Sequence, residues 1–397
     1  MNNTDHIPYI PYGRQTVSEQ DTYAVMQVLK SPYLTQGPVV SRFEEAIARR
    51  VSAKHSVSAN SATSALHLAC LALGLGPGDH LWTSPITFVA SANCGRYCQA
   101  SVDFVDIEPR TGLMSVAALE RKLEQAAKDG RLPKIVVPVH LGGSSCDMKA
   151  IGGLARRYGF AVIEDASHAI GGAYQAEPVG SCRYSDITVF SFHPVKIITT
   201  AEGGLATTND PKLAQAMSEL RSHGIVRDAN RFTQRANGPW SYEQQNLGYN
   251  YRMSDIQAAL GLSQLERLDS LVHARNIQRL DYIELLRSLP LYVLDIPDNV
   301  SSSVHLTVAR LTETTPNGHR KIFEGLRNKG IGVQLHYSPV HLQPYYRDLG
   351  FCLGQFREAE SYASSAISLP TFPGLTEEMQ MRVVEVLAEE IKMHSPE

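Results

Sequence analysis

Cysteine and tryptophan are both sparse, with six and two residues in a chain of 397. The cysteines stand at 70, 94, 98, 146, 182 and 352, and only Cys94 and Cys98 lie near each other, with no second pair to complete a zinc site. A disulfide framework and a structural metal are therefore excluded as the basis of the fold, no metal site is expected, and the thiols are expected to be reduced and mostly buried. Charge of one sign is also missing. Lys and Arg number 37 against 40 Asp and Glu, a net of −3, which speaks against a nucleic-acid partner. No run approaches the roughly 18 apolar residues of a membrane span, so no membrane association is expected. The opening stretch MNNTDHIPYIPYGRQ has neither the basic start nor the apolar run of a secretory signal, and a cytoplasmic protein is expected. Internal repeats and low-complexity tracts are absent.

What is present is ordinary globular material: 43% hydrophobic and 19% charged residues, with 29 Gly and 21 Pro. A chain of this length can bury a large core, and a soft count of about 150 residues per domain suggests two or three domains. Ser18–Asp21, Ser41–Glu44 and Ser254–Gln257 have the spacing of a helix start, a capping Ser with an acid or amide three residues later. Short β-rich segments at 80–84, 102–107, 134–140, 160–164, 186–192 and 205–208 alternate with helical patterns at 115–128, 147–158 and 211–222. Ile135–Val137 and Ala161–Ile163 are continuously apolar, as strands covered on both faces must be. That alternation predicts a mostly parallel α/β sheet. A long helical stretch from Ser254 to Leu289 follows. Beyond it come a strand at 304–311, a helix at 319–329, a strand at 332–337 and helices at 358–367 and 376–393.

Ligands of open parallel sheets bind beyond the carboxyl ends of the strands. Three such ends carry unusual residues here. Phe160–His168 runs from apolar residues straight into Glu164 and Asp165; Val189–Lys196 ends on a lysine; Thr83–Phe88 presents an aromatic ring. A carboxylate at the end of a buried strand needs a partner. A lysine, an aspartate and a stacking aromatic together are what a pyridoxal phosphate enzyme requires: an amine for the cofactor aldehyde, an acid to keep the pyridine nitrogen protonated, and a cover for the ring. Ala59–Ser64 leads directly into an apolar helix, so free amides and the positive end of the helix dipole meet there as a phosphate cradle. Ser191 could add a hydroxyl. Gly74–Gly78 has the wrong glycine spacing for a dinucleotide fingerprint, and His140–Gly143 lacks the serine elbow of a hydrolase.

Asn60–His67, Glu164–Ala166, Ser191–Lys196, Ala201–Gly204 and Leu247–Asp255 together resemble the DegT/DnrJ/EryC1/StrS family of pyridoxal phosphate-dependent sugar aminotransferases. The resemblance runs from Tyr9 to Leu387 in the family's order. It implies an α/β protein of transferase fold type I, aspartate aminotransferase-like, with a mostly parallel central sheet and a smaller α+β C-terminal domain. Residues 1–262 would form an N-terminal segment and the large cofactor domain, and 263–397 a connecting helix and the small domain. Pro11–Gln15, Leu34–Pro38, Phe192–Gly204 and His336–Tyr345 are similar to the branch acting on UDP-2-acetamido-2,6-dideoxy-β-L-arabino-hex-4-ulose in pseudaminic acid synthesis. Ile197 stands where that branch more often has Pro, and Ala59-Asn-Ser replaces its commoner Asn-Gly run.

Carried over position by position, the resemblance implies that Lys196 is the catalytic lysine, which binds the cofactor and moves the proton. Asp165 would bind the pyridine nitrogen, His168 the ring oxygen, and Phe88 the ring face. Ala62, Thr63 and Ser191 would hold the phosphate, with Asn250 reaching it from a partner subunit in a homodimer with shared sites. Tyr12, Arg14, His336 and Tyr337 are candidate contacts to a nucleotide-sugar substrate, L-glutamate and 2-oxoglutarate being the amino donor and its product. A dehydratase of the same fold would carry His in place of Lys196, and a non-catalytic regulator would not need that lysine.

Overall fold

A computed structural model describes residues 8–394 and is built around a seven-stranded sheet. Its strands are β1 (His55–Ala59), β2 (His80–Thr83), β3 (Ser101–Phe104), β4 (Ile135–Val137), β5 (Ala161–Asp165), β6 (Ile187–Ser191) and β7 (Gly204–Thr208). Their order is β1-β7-β6-β5-β4-β2-β3. From β3 to β6 every neighbouring pair is parallel, while β7 runs antiparallel to both β6 and β1. The expected mostly parallel α/β sheet is thus present. Ile135, Val136 and Val137 are fully buried, as their unbroken apolar run requires.

Strand β1 carries no apolar run and is not among the predicted segments. Its serines are satisfied from outside the ladder: Ser56 donates to the Glu44 carbonyl at 2.7 Å, and Ser58 donates to the Glu44 carboxylate at 2.8 Å. That leaves only Val57 and Ala59 to mark a buried strand. The helix expected to start at Ser41 begins earlier, spanning Pro38–Val51. Its cap comes from a distant part of the chain, since the Gly37 and Val39 amides donate to the Asp255 carboxylate at 2.8 Å each. The capping boxes at Ser18/Asp21 and Ser254/Gln257 form as the spacing predicts.

The long helical stretch after Ser254 is two helices, Asp255–Leu265 and Leu268–Leu285. Residue 262 falls inside the first. The second spans both halves of the molecule: Leu268 and Leu271 pack with Phe43 and Phe190, while Tyr282 packs with Ile322, Leu326 and Leu387. That latter cluster lies between an antiparallel sheet and helices Pro316–Asn328 and Glu377–His394. The sheet is β8 (Leu291–Val293), β9 (Thr307–Leu311) and β10 (Ala366–Leu369), in that order.

Two expectations fail here. The helix predicted over 358–367 stops at Ala363, and Ala366–Leu369 is strand β10. Residues 332–337 are not a strand; the segment touches the edge of β10 through the single pair Gln334–Ser368 and then turns away. His336 Nδ1 lies 2.8 Å from Ser368 Oγ, so its ring ties the departing chain to β10, and the His336–Tyr337 peptide is cis. No helix among the described residues is long and apolar enough to cross a membrane. Five cysteines are buried, Cys352 is exposed, and all six are free.

Candidate active site

The register of β1, β7 and β6 brings the phosphate-cradle candidates together. Gly204 opens β7 opposite both Ser191 of β6 and Ala59 of β1. A Cβ at Gly204 would stand 2.4 Å from the Ala62 nitrogen, so only glycine lets the sheet approach the helix start that closely. Ser61 caps helix Ala62–Ala72 by accepting the Ser64 amide at 3.1 Å. The Ala62 and Thr63 amides ahead of it have no intrahelical acceptor. Two donors and the positive end of the helix dipole therefore stand close to the strand end that carries Ser191.

Lys196 lies on the connection between β6 and β7, its amide donating to the His193 carbonyl at 2.9 Å. Burial pulls its amine down to about 8, against the opposing pull of the Asp165 charge. Asp165 ends β5 and is 5% exposed. Its carboxylate accepts Ser91 Oγ–H at 2.6 Å and the Ser167 amide at 3.1 Å. The Ser91 hydroxyl also lies 2.7 Å from that of Thr87, one turn away. Ser91 and Thr87 were not foreseen, although their position on either side of the predicted aromatic, four residues apart, is the signal that would have shown them.

A second wall faces these groups. His168 Nδ1 accepts the Gly142 amide at 3.3 Å, and its Nε2 lies 3.1 Å from the Tyr337 hydroxyl. Burial and the charges of Lys196 and His336 push His168 well below the ordinary imidazole range. Burial with the Lys196 charge likewise takes His336 down to about 3. His305, which no motif singles out, is buried with its ring centroid 4.5 Å from that of His168 and no partner for Nδ1. The wall is thus neutral, and Tyr337 keeps its proton because burial and the Asp165 charge raise it. Beneath it the buried Arg275 guanidinium, lowered to about 10 by burial, donates to the His305 and Thr371 carbonyls at 3.3 and 2.8 Å.

One cavity of about 380 Å³ joins the two walls. Ala62, Thr63, Phe88, Asp165, Ser191 and Lys196 all line it. So do His168, Tyr12, His336 and Tyr337. Phe88 is 58% exposed, standing at the mouth. Arg14 is not among the lining residues; its guanidinium lies over the Phe372 ring, 5.3 Å from the centroid, beside an adjacent crevice. Asn250 is exposed and outside the cavity of its own chain, held by a backbone bridge to Ser222. Glu202 and the exposed His193 also border the space. Among the described residues no group of three or more His, Cys, Asp or Glu is placed to hold a metal ion. An amine near neutrality, a fixed carboxylate, an aromatic at the rim and a cradle of amides fit a phosphorylated pyridine aldehyde.

Residues 15–388 match the model of the DegT/DnrJ/EryC1/StrS aminotransferase family. The chain is 36% identical over 389 residues to the spore coat polysaccharide biosynthesis protein SpsC of Bacillus subtilis, covering 97% of each. It is 38% identical over 369 residues to the UDP-4-amino-4,6-dideoxy-N-acetyl-β-L-altrosamine transaminase of Campylobacter jejuni, covering 91% of this chain and 92% of that protein. The solved structure of Helicobacter pylori PseC, an aminotransferase involved in pseudaminic acid biosynthesis, superposes with a TM-score of 0.89 at 31% identity, over 97% of this chain and 100% of that one. With a cavity suited to pyridoxal phosphate, the fold of type I transferases and a match over nearly its whole length, the chain belongs to the DegT/DnrJ/EryC1/StrS family and is a pyridoxal phosphate-dependent nucleotide-sugar aminotransferase.

Proposed function

We propose that the protein transfers the amino group of L-glutamate to C4 of a nucleotide-linked 4-keto-6-deoxy sugar. The acceptor is UDP-2-acetamido-2,6-dideoxy-β-L-arabino-hex-4-ulose and the product UDP-4-amino-4,6-dideoxy-N-acetyl-β-L-altrosamine, a step of pseudaminic acid biosynthesis. The observation that carries the transfer is Lys196, with its amine near 8, sharing one cavity with the fixed Asp165 carboxylate. The 38% identity to the Campylobacter enzyme supports the choice of sugar. A second reading, another UDP- or dTDP-linked 4-keto-6-deoxy sugar, draws on the 34% identity to the UDP-4-amino-4-deoxy-L-arabinose–oxoglutarate aminotransferase of Shewanella sediminis, which acts on a different UDP-sugar. A cytoplasmic location belongs to the same proposal.

Bound pyridoxal phosphate supplies an electron sink for the charge left at the donor Cα and at sugar C4. Lys196 would hold the cofactor aldehyde, and its neutral amine would take a proton from the donor Cα and deliver one to a single face of C4. Asp165 would keep a proton on the ring nitrogen, and the bonds from Ser91 and Ser167 hold that carboxylate in place. The Ala62 and Thr63 amides and the Ser191 hydroxyl bind the phosphate, joined by Asn250 of the partner subunit. Phe88 covers the ring and His168 borders its oxygen. Tyr12, Arg14, His336 and Tyr337 bind the nucleotide sugar. Placement of Tyr12, His336 and Tyr337 on the Lys196 cavity supports their part.

The test is a panel of UDP- and dTDP-4-keto-6-deoxy sugars with glutamate, the products identified by NMR. Amination of the arabino-hexulose ahead of the others is expected; preference for a different sugar would replace it by the second reading. Mixing Lys196→Ala and Asn250→Ala chains should restore part of the activity if sites are shared. Failure after demonstrated subunit exchange would remove Asn250 from the phosphate.

A further inference from the structure

The cavity does not use the buried pair next to it. His140 is fully buried, and its Nε2 lies 2.7 Å from Glu164, the residue preceding Asp165. The Glu164 carboxylate also accepts Ser185 Oγ–H and, at 3.0 Å, Thr188 Oγ1–H, so it is fully engaged and held ionised. Burial disfavours a charged His140, but its bonds to Cys146 and Glu164 outweigh burial and raise it to about 10. The hydrogen-bond geometry overrides that direction: the Cys146 amide points at Nδ1 at 3.2 Å, and only an unprotonated nitrogen can accept it. His140 is thus a neutral ring donating Nε2–H to Glu164.

His140 leads into the turn Leu141–Gly143, its ring bonded to Glu164 on one side and to the Cys146 amide beyond the turn on the other. The His140 amide donates to the Asp165 carbonyl at 3.0 Å, and the Gly143 amide returns to the His140 carbonyl at 3.3 Å. On the far side the Gly142 carbonyl accepts the His305 amide at 2.8 Å, and the Gly143 carbonyl accepts the Ser303 amide at 3.2 Å. Gly143 has φ 102°, and a Cβ there would stand 2.1 Å from the Ser303 carbonyl oxygen, so the turn has no room to shift. What it presents inward is the Gly142 amide, aimed at His168 Nδ1.

The consequence is a fixed direction for two protons. A nitrogen that accepts an amide carries no hydrogen, so the neutral His168 ring has its proton on Nε2 and donates it to the Tyr337 oxygen. The Tyr337 hydroxyl hydrogen is then free for the cavity. We propose that Glu164 and His140 are positioning residues which, through the Leu141–Gly143 turn, lock His168 as its Nε2–H tautomer and so make the Tyr337 hydroxyl a hydrogen-bond donor to the bound reactants. The kinetic part rests on the aminotransferase reading above; the tautomer does not.

The test starts on the unaltered holoenzyme. ¹⁵N-histidine NMR, with the His168 signals identified by their loss in His168→Gln, is expected to show the proton on Nε2; a proton on Nδ1 would overturn the proposal. Tyr337→Phe should lower kcat/KM for the keto sugar about tenfold, the worth of one hydrogen bond. His140→Ala should cost a similar factor with Tyr337 present and less than twofold in the Tyr337→Phe background. His140→Gln, whose amide can accept from Cys146 and donate to Glu164, should restore both the rate and the tautomer. Equal losses from His140→Ala in both backgrounds would mean a merely structural role. A wild-type enzyme that leaves the keto sugar untouched would refute the substrate reading alone, since the NMR result still decides the tautomer.

Discussion

The two walls of the cavity are built in different ways. On the Lys196 side the groups around the lysine end a strand or open a helix: Asp165 ends β5, Ser191 ends β6, and Ala62 and Thr63 start a helix, while Lys196 lies on the connection after β6. On the facing side His305 precedes β9 by two residues, and His336 and Tyr337 belong to a segment without regular structure. The first wall is aimed by backbone ladders that run through the sheet. The second is aimed by side-chain and carbonyl bonds between distant residues, such as Arg275 to His305 and Thr371. The lesson is that one wall is fixed by the sheet as a whole, whereas the other hangs on cross-links that can be changed singly.

Substitutions on the two sides should therefore differ in kind. Lys196→Ala should produce the largest effect, a loss of about 10³-fold or more in the glutamate and keto-sugar assay, because binding and proton transfer are lost together. Turnover within tenfold of wild type would break the assignment of chemistry to that wall. Asp165→Asn should cost about 10²-fold, in the range of a lost charged hydrogen bond, and weaken cofactor retention on dialysis. If the variant keeps wild-type rates, the carboxylate does not act on the ring. Ser91→Ala, which removes one of the two bonds to Asp165, should cost about tenfold by the same assay. An unchanged rate would show that the Ser167 amide suffices.

The histidine wall should announce itself in acid. His168, His305 and His336 are all held below 6.5 in the folded protein. The unfolded chain binds more protons below that pH, so stability is present above about pH 6.5 and is lost as the pH falls. Unfolding free energies from urea titrations at pH 7.5 and 5.5 should differ by roughly 1 kcal/mol for each such histidine. His305→Phe should reduce that difference. A difference equal to the wild type's would mean that His305 is not held neutral.

Legibility follows the same division. The Asp165 and Lys196 positions could be read because a buried apolar run that meets a charge has few explanations other than a site. The cradle at Ala62 could be read from the serine cap, which forms as spaced. Strand β1 could not, since Glu44 and Ser58 satisfy each other only after folding. The start of helix Pro38–Val51 was misplaced because its cap, Asp255, lies 218 residues beyond Gly37. His305 has no local signature at all; it enters the site because β9 pairs with β10 and the Leu141–Gly143 turn receives its amide.

The scarcity of cysteine and the balanced charge leave burial of apolar surface to hold this chain together, and its periodicity marks the alternating strands and helices of the parallel sheet, though not β1 or β10. Those are local matters, decided by backbone geometry and by the cost of burying a lone charge. Which of those ends meet was decided only in three dimensions. Gly204 brings the helix start to Ser191, Ser91 reaches Asp165 across 74 residues, and the Gly142 amide selects the tautomer of His168. A hydrogen bond is satisfied by whichever partner the fold delivers, and sequence spacing carries no record of that partner.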